Sequence, residues 1–239
     1  MIELNAVSRW YGQVIGLNDV TCQIGPGLTA LLGMNGAGKS TMMRLITGQI
    51  RPTTGSVSVF GKEPFGNPDV YHHIGYCPEI DNFYEHNTGR QFVYHLARMA
   101  GYGSAEARRR TDEAIERVGM SDPANRKIAG YSKGMRQRIK LAQALVHDPE
   151  VVFLDEPTNG LDPGGRQEML ELVRQLSREL GKSIVLSTHI LQDVEAVCDA
   201  VVVMELGRVV AQIVNSLRID QALKAAGVGR VVSRAGFEL

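Results

Sequence analysis

The residues of this sequence best suited to chemistry lie in one glycine-rich stretch, Gly33–Thr41, which reads Gly-Met-Asn-Gly-Ala-Gly-Lys-Ser-Thr. It follows the apolar run Leu28–Leu32, which predicts a buried strand, and it precedes a helical pattern. Glycine lets the backbone fold back so that successive N–H groups point at phosphate oxygens, and the helix adds the positive end of its dipole. The stretch therefore predicts a phosphate-binding loop; the alternative is a plain glycine-rich turn before a helix. The candidate binding residues are Gly33, Asn35, Gly36, Ala37, Gly38, Lys39, Ser40 and Thr41.

Two side chains of this loop have specific expected roles. Lys39 is expected to reach the β and γ phosphates of a nucleotide. Ser40 offers a hydroxyl to Mg²⁺, an ion that takes few protein ligands and otherwise keeps water and phosphate oxygens. The loop therefore predicts a nucleotide with bound Mg²⁺ as the ligand.

Two acidic residues follow a second apolar run, Val151–Leu154, which is typical of a fully buried parallel strand. Parallel strands present such residues at their carboxyl-terminal edge, where the phosphate loop is also expected. Asp155 can then hold Mg²⁺, directly or through water, and Glu156 can polarise a water for attack on the γ phosphate. Without the upstream loop, the same two acids would be interpreted as caps of the next helix.

A histidine and a tyrosine are further candidates. His189 follows the predicted strand 183–187 and is expected to contact the γ phosphate, although a lone histidine there is usually an ordinary loop residue. Tyr11 lies in an aromatic pair at a predicted turn, and its ring could stack on a purine base. Taken alone, it would more often be an ordinary core or surface aromatic residue.

The bulk composition excludes several classes of protein. The chain has 239 residues, 44% of them hydrophobic, and its 26 basic residues balance its 26 acidic ones. Because the net charge is zero, we expect no long-range electrostatic attraction of the whole chain to nucleic acid or to an anionic membrane. The apolar runs are far shorter than the roughly 18 residues of a spanning helix, so a membrane role is expected to require a partner. The three widely spaced cysteines argue for a reducing cytoplasm, and the N-terminus has no secretory signal pattern.

The first half predicts strands that flank the loop and then a helical block. Residues 2–7 and 14–24 alternate as an antiparallel edge, a helix runs from Lys39 to about Thr47, and strands are expected over 56–60 and 74–79. From Thr88 the spacing is helical, with Phe92, Leu96 and Met99 on one face, and Ser104 begins a second, capped helix that runs to Val118. The arginine run 108–110 in that helix suggests either nucleic acid or, with acids nearby, a solvated face.

The second half predicts alternating helices and buried strands. Asp162 and Pro163 begin a helix that Gly181 ends, with Met169, Leu170, Val173 and Leu176 as its apolar stripe. Strands are expected over 183–187, 200–204 and 209–214, and a final helix over 217–226. The pattern as a whole predicts an α/β fold with a mainly parallel central sheet, an N-terminal antiparallel subdomain and a helical subdomain inserted at about 85–150.

These motifs, together with the segment 131–138, which reads Tyr-Ser-Lys-Gly-Met-Arg-Gln-Arg, resemble the ATP-binding subunit of an ABC transporter. The resemblance covers residues 2 to about 215 and implies a P-loop NTPase core over residues 1–215, with a tail of unknown role over 216–239. It implies that Tyr11 is the base-stacking aromatic residue and that His189 is the switch histidine. Ser132 and Gly134 match the signature motif, and 159–162 matches the D-loop.

Two departures from the family pattern bear on function. The usual signature is Leu-Ser-Gly-Gly-Gln, whereas this chain has Tyr-Ser-Lys-Gly-Met, which is similar to the ABC-2-type branch of drug, polysaccharide and lipid exporters. Subunits of that branch pair with a separate membrane permease of about six helices. The second departure is Glu79, which stands where the family has the Q-loop glutamine. We expect it near Mg²⁺ with Asp155, although it could instead point toward the membrane subunit.

The resemblance implies a head-to-tail pair, either with a second copy or with a homologous subunit. Each ATP then lies between the phosphate loop of one chain and the signature motif of the other. The expected function is ATP hydrolysis that drives export, at the inner face of the cell membrane, with import formally open and no nucleic acid expected. The alternatives are a soluble ABC ATPase that acts on nucleic acid or ribosomes and a regulatory module that binds ATP without turnover.

Overall fold

A computed structural model describes residues 1–214 of the chain. The helix predicted over 217–226 and the predicted tail 216–239 lie outside the described residues. In chain order the elements are β1 (Ile2–Tyr11), β2 (Val14–Ile24), β3 (Leu28–Leu32), α1 (Lys39–Ile46), β4 (Thr54–Val59), α2 (Pro68–Tyr71), β5 (Ile74–Cys77), α3 (Gly89–Met99), α4 (Ser104–Arg117), α5 (Lys133–Leu145), β6 (Val151–Leu154), α6 (Pro163–Glu179), β7 (Ser183–Thr188), α7 (Leu191–Val197), β8 (Ala200–Glu205) and β9 (Arg208–Val214).

The chain forms two compact units. The first consists of Met1–Asn67 and the chain from Val185 onward, and the second is Pro68–Ile184. The first therefore holds the predicted phosphate loop, and the second holds the helices α3 to α5 that were predicted as an inserted subdomain.

An antiparallel sheet forms the N-terminal part of the first unit, with the strand order β2-β1-β4. Ile2, Leu4 and Val7 of β1 are fully buried, and irregularities in the register after Leu4 keep Val7 on the buried side. The predicted antiparallel edge is confirmed. The aromatic pair Trp10 and Tyr11 was wrongly placed in the turn, because both residues still pair with β2 and the chain turns only after them.

A second set of strands in the first unit has the order β7-β3-β8-β9, to which β7 contributes its residues from Val185 onward. Strand β3 is buried along its whole length and pairs in parallel with β8, while β9 pairs with β8 in the antiparallel sense. The mainly parallel arrangement directs the carboxyl end of β3 into the glycine-rich loop. Helix α7, which the sequence analysis missed, follows β7 and packs near β3.

The second unit combines two parallel strands with a helical block. Strand β5 pairs in parallel with β6, from Ile74 beside Val151 to Cys77 beside Leu154, and α5 packs on β5. Helices α3, α4 and α5 pack against one another. The predicted α/β fold, with its N-terminal antiparallel sheet and its block of helices between the two chemical motifs, is confirmed.

Two predictions about the helical block were wrong. Met99 was predicted on the apolar face of α3 but is 82% exposed, and the buried side consists of Phe92, Val93 and Ala97. Helix α4 has no side-chain cap, because its N-cap is Gly103 and Ser104 is already its first residue. The apolar stripe predicted for α6, in contrast, is buried as expected.

Two arginines of the run in α4 are paired with acids on the same helix. Arg109 donates to Glu106 at 2.9 Å and to Glu113 at 2.5 Å, and Arg110 donates to Glu106 at 2.7 Å. These pairs favour the solvated-face interpretation. Among residues 1–214, no helix combines the length and the apolar character that a transmembrane segment requires.

Candidate functional site

The predicted phosphate loop begins in the first unit, where β3 ends. The Gly33 N–H donates to the Thr188 carbonyl at the end of β7, at 3.2 Å. A Cβ atom on Gly33 would collide with the Met204 carbonyl of β8. The loop therefore starts between two strands at a point where only glycine fits.

Two further glycines give the loop its curvature. Gly36 and Gly38 have φ values of +84° and +103°, in the left-handed region that favours glycine. A Cβ atom on Gly38 would lie 2.7 Å from the Gly16 carbonyl oxygen, so the loop also approaches β2 closely. Between the two glycines, Ala37 donates to the Met34 carbonyl and accepts from the Gly207 N–H, both at 3.0 Å.

The Lys39 side chain folds back to the first two residues of this loop. Its Nζ donates to the carbonyls of Gly33 at 2.6 Å and Met34 at 3.3 Å, and the side chain is buried. Helix α1 begins after Gly38 with no side-chain cap and no acidic residue in its first turn. An oxyanion is the group that satisfies uncapped N–H groups beside a cation, so the loop fits a nucleotide phosphate.

Tyr11 lies close to the carboxyl-terminal end of the same loop. A Cβ atom on Gly16 would lie 2.9 Å from Cε2 of the Tyr11 ring and 3.1 Å from Oγ1 of Thr41. Tyr11 as a residue is 40% exposed, and the Arg9 guanidinium lies 4.9 Å from the centroid of its ring. The aromatic ring is thus available beside the loop, as base stacking would require.

His189 is the first residue after β7. The preceding residue, Thr188, accepts from Gly33 through its carbonyl, and its Oγ1 accepts from the Ile190 N–H at 3.0 Å and donates to Asp193 Oδ2 at 3.2 Å. These bonds fix the backbone on both sides of His189. The structure therefore brings His189 to the residue with which the phosphate loop begins.

The acidic pair of the second unit follows β6 directly, as predicted. Asp155 donates through its N–H to the Cys77 carbonyl at 2.9 Å, and its carboxylate lies 3.4 Å from the Tyr76 hydroxyl. Asp155 and Glu156 are 4% and 5% exposed. Glu156 has a φ of +48°, a conformation that is uncommon for a residue with a side chain. A buried acid in strained backbone is typical of a functional position.

Glu79 lies in the same unit and is connected to the segment after the acidic pair. Its Oε1 accepts from the Asn159 side-chain amide at 3.1 Å. The Asn159 N–H donates in turn to the Glu156 carbonyl at 3.1 Å. The structure therefore connects Glu79 to Glu156 through one asparagine, while the placement of Glu79 near Mg²⁺ stays a prediction.

Ser132 is the N-cap of α5, and its Oγ accepts from the Met135 N–H at 3.3 Å. Ser132 is exposed, and a Cβ atom on Gly134 would meet only a Leu161 methyl at 4.0 Å. Further along α5, Arg136 donates two hydrogen bonds to Glu85 and thereby lowers the pKa of that carboxyl group. The signature segment thus forms an open helix N-terminus at the surface.

Lys140, a buried lysine in α5, was not predicted from the sequence. Lys140 is 2% exposed, and its Nζ reaches the carbonyls of Pro78 and Glu79 and the carboxylate of Asp81. One signal was present in the sequence: Lys140 interrupts the otherwise apolar run from Ile139 to Ala142.

The predicted site residues form two groups, one in each unit. The first unit brings together Tyr11, His189 and the phosphate loop. The second unit contains Glu79, Asp155 and Glu156 near Asn159, with the signature residues Ser132 and Gly134 at the start of α5.

Comparison with known proteins identifies the family. The family model described as ABC transporter matches residues 17–159. The chain is 36% identical over 217 residues to the ABC transporter ATP-binding protein NatA of Bacillus subtilis, covering 88% of each chain. It is 34% identical over 215 residues to the bacitracin transport ATP-binding protein BcrA of Bacillus licheniformis, covering 89% of this chain and 69% of BcrA.

A solved structure supports the same conclusion. The dimeric structure of MJ0796, a bacterial ABC transporter cassette, matches with a TM-score of 0.80 at 26% identity, covering 90% of this chain and 98% of the cassette. The match includes residues of both units, because it covers 90% of the chain and neither unit is that large. The chain therefore belongs to the ABC transporter family and is one of its ATP-binding subunits, an ABC-type ATPase.

Proposed function

We propose that this chain works as one half of a head-to-tail pair that hydrolyses ATP and drives export through a separate ABC-2-type membrane permease. It would lie at the inner face of the cell membrane, bound to that permease. The partner in the pair is a second copy or a homologous ATP-binding subunit.

The open N-terminus of α5 is the observation that carries the proposal. Ser132 is exposed there, and the surroundings of Gly134 leave room for a ligand. A helix N-terminus attracts phosphate oxygens, and this one bears the signature residues. In the head-to-tail pair, Ser132 and Gly134 would meet the γ phosphate of the ATP held by the partner chain.

Each chain would hold its own ATP with the residues of the first unit. Gly33, Asn35, Gly36, Ala37 and Gly38 would form the loop that surrounds the phosphates, and Lys39 would neutralise the β and γ phosphates. The N–H groups of Gly33 and Ala37 already donate to Thr188 and Met34, so they would shape the loop rather than bind phosphate. Tyr11 would stack on the base and Thr41 would line the end of the loop. His189 would contact the γ phosphate.

The donor set suits magnesium, because Mg²⁺ prefers hard oxygen ligands and takes few of them from the protein. Ser40 would supply a hydroxyl, and Asp155, with Glu79, would supply carboxylates. The ion, when bound, would neutralise charge that develops on the phosphates. Glu156 would accept the proton of the attacking water, and this requires a carboxylate rather than an amide.

Export is supported by the signature sequence Tyr-Ser-Lys-Gly-Met and by similarity to a bacitracin transport protein. The dimeric cassette among the similar structures supports the paired arrangement. We do not propose a nucleic-acid partner, because Arg109 and Arg110 of α4 are paired with acids and the net charge is zero.

A mixing experiment with two inactive variants tests the pair. Lys39→Ala removes the cation of the phosphate loop, and Ser132→Arg blocks the signature surface. In a mixed pair, the chain with intact Lys39 faces the intact Ser132 of the other, which rebuilds one site out of two. Equal amounts that pair at random should then recover about one quarter of the wild-type phosphate release.

Each variant alone, at the same total concentration, is the control and should stay inactive. Labelled-ATP binding by the Ser132→Arg chain should persist, because Ser132 serves the ATP of the partner. Failure to recover activity at any mixing ratio, from variants that are folded, would count against the head-to-tail pair.

A further inference from the structure

Three basic residues on one face of α5 all reach the segment that follows β5. Lys133, Arg136 and Lys140 are three and four positions apart, so their side chains line up along the helix. Their partners are Asp81, Glu85 and the backbone at Pro78–Glu79. The helix that Ser132 caps therefore holds the segment that contains Glu79.

Lys140 is the buried member of this set. Its Nζ donates to the carbonyls of Pro78 and Glu79, both at 2.9 Å, and lies 2.8 Å from Asp81 Oδ1 in a close ion pair. An ammonium group has three donors and no acceptor. All three contacts of Lys140 thus fall within four consecutive residues of one segment.

The other two cations are weaker anchors. The Lys133 ammonium is 3.8 Å from Asp81, and its side chain is 42% exposed. Arg136 pairs with Glu85, whose side chain is 53% exposed. Water and salt screen such surface pairs, whereas a buried cation bound to carbonyls keeps its geometry.

Lys140 contacts Glu79, whose backbone carbonyl and side-chain carboxylate are both hydrogen-bonded. Its carbonyl accepts from Lys140, and its Oε1 accepts from Asn159, which also binds the Glu156 carbonyl. Pro78 removes one backbone torsion just before it. Loss of Lys140 would release the backbone end and allow the Glu79 side chain to leave Asn159.

We propose that Lys140 is a positioning residue for ATP hydrolysis, one that fixes Glu79 and, through Asn159, the backbone that carries Glu156. This inference rests on the proposed function of the site. It assigns no contact between Lys140 and the nucleotide. Lys140 acts on the site of its own chain, whereas Ser132 serves the site of the partner.

The first test compares Lys140→Met with the matched control Lys182→Met. Lys182 is also a largely buried lysine of the second unit, 13% exposed, that binds the Asp148 carboxylate at 2.8 Å. Lys140→Met should lower kcat by on the order of 10- to 100-fold with KM for ATP nearly unchanged, because the reacting groups are misplaced while the phosphate loop is intact. Lys182→Met should leave both parameters of the folded protein near wild type.

A second variant separates positioning from stability. Lys140→Met alone leaves the Asp81 carboxylate with only the more distant Lys133 ammonium, 3.8 Å away, so we expect a lower midpoint of thermal unfolding. Lys140→Met with Asp81→Leu removes both charges and should recover part of that midpoint while kcat stays low. Recovery of kcat together with the midpoint would overturn the positioning role.

The mixed pair shows in which site Lys140 acts. Lys140→Met is added either to the Ser132→Arg chain, which contributes its own Lys39 and Glu79 to the rebuilt site, or to the Lys39→Ala chain, which contributes only Ser132. Activity should fall in the first combination and persist in the second, and the reverse result would overturn the assignment to Glu79. The unmodified mixture tests the proposed function itself, so failure of that mixture is distinct from failure of this inference.

Discussion

At the scale of single residues, Glu156 shows most clearly how the fold prepares chemistry. It is buried, follows a buried parallel strand and has a φ of +48°, which costs energy for any residue with a side chain. The Asn159 N–H, bound to its carbonyl, helps to hold this conformation. A carboxylate kept in place at such a cost is suited to act as a base.

Glu156→Gln should therefore preserve ATP binding and reduce turnover by about 100-fold or more, because the amide holds a water but cannot accept its proton. Phosphate release and labelled-ATP binding, measured on the same preparation, check both halves of the expectation. Glu150→Gln is the matched control: Glu150 precedes β6, is 58% exposed and pairs with His73 at the surface. Turnover of Glu156→Gln at the parent rate would exclude Glu156 as the base.

The sequence predicted single residues well where local pattern determines them. The loop Gly33–Thr41 and the pair Asp155-Glu156 each follow an apolar run, so their positions at strand ends are local properties. The contact between Lys140 and Asp81 could not be predicted in this way. Their contact depends on how α5 packs on β5, and residues far apart in sequence carry no local signal of such a contact.

At the scale of elements, long regular patterns predicted helices and strands, and short or one-sided patterns did not. The continuous apolar run Val151–Leu154 predicted a buried strand, and the structure has one there. Helix α7, in contrast, is only seven residues long and its sequence gives no clear helical period. Met99 was predicted on the apolar face from its spacing relative to Phe92, but it is the last residue of α3 and is exposed. Periodicity predicts which residues share a face, and packing decides how far along the helix that face is covered.

One element contact yields a prediction about pH. His147, just after α5, places Nε2 2.9 Å from the Ile74 carbonyl of β5. Burial lowers the pKa of His147 by more than this hydrogen bond raises it. The unfolded chain therefore binds a proton more readily at this residue than the folded chain. The free energy of unfolding should fall as pH decreases below the ordinary histidine value of about 6.5.

His147→Gln tests this expectation, since glutamine can donate to Ile74 but does not titrate. Urea unfolding at several pH values between about 7 and 5 should show a flatter dependence in the variant than in the wild type. His95→Gln, at an exposed histidine of α3, serves as the control. Parallel curves for wild type and His147→Gln would contradict a role of His147 in acid sensitivity.

At the scale of the whole molecule, the neutral charge bears on assembly. With 26 basic and 26 acidic residues, two copies have little net charge to attract or repel each other. A bound ATP adds concentrated negative charge at the phosphate loop, and the open N-terminus of α5 is suited to receive it. We infer that the nucleotide itself supplies most of the attraction in the proposed pair.

Association should therefore depend on nucleotide, on turnover and on Ser132. Glu156→Gln, which should retain ATP, is expected to elute as a dimer in size-exclusion chromatography with Mg-ATP and as a monomer without nucleotide. Adding Ser132→Arg to that variant should keep it monomeric, because the arginine blocks the surface that meets the partner's γ phosphate. Higher salt should weaken the dimer, since the contact is largely electrostatic. A dimer that forms equally well without ATP, or with Ser132→Arg, would show that another surface holds the two chains together.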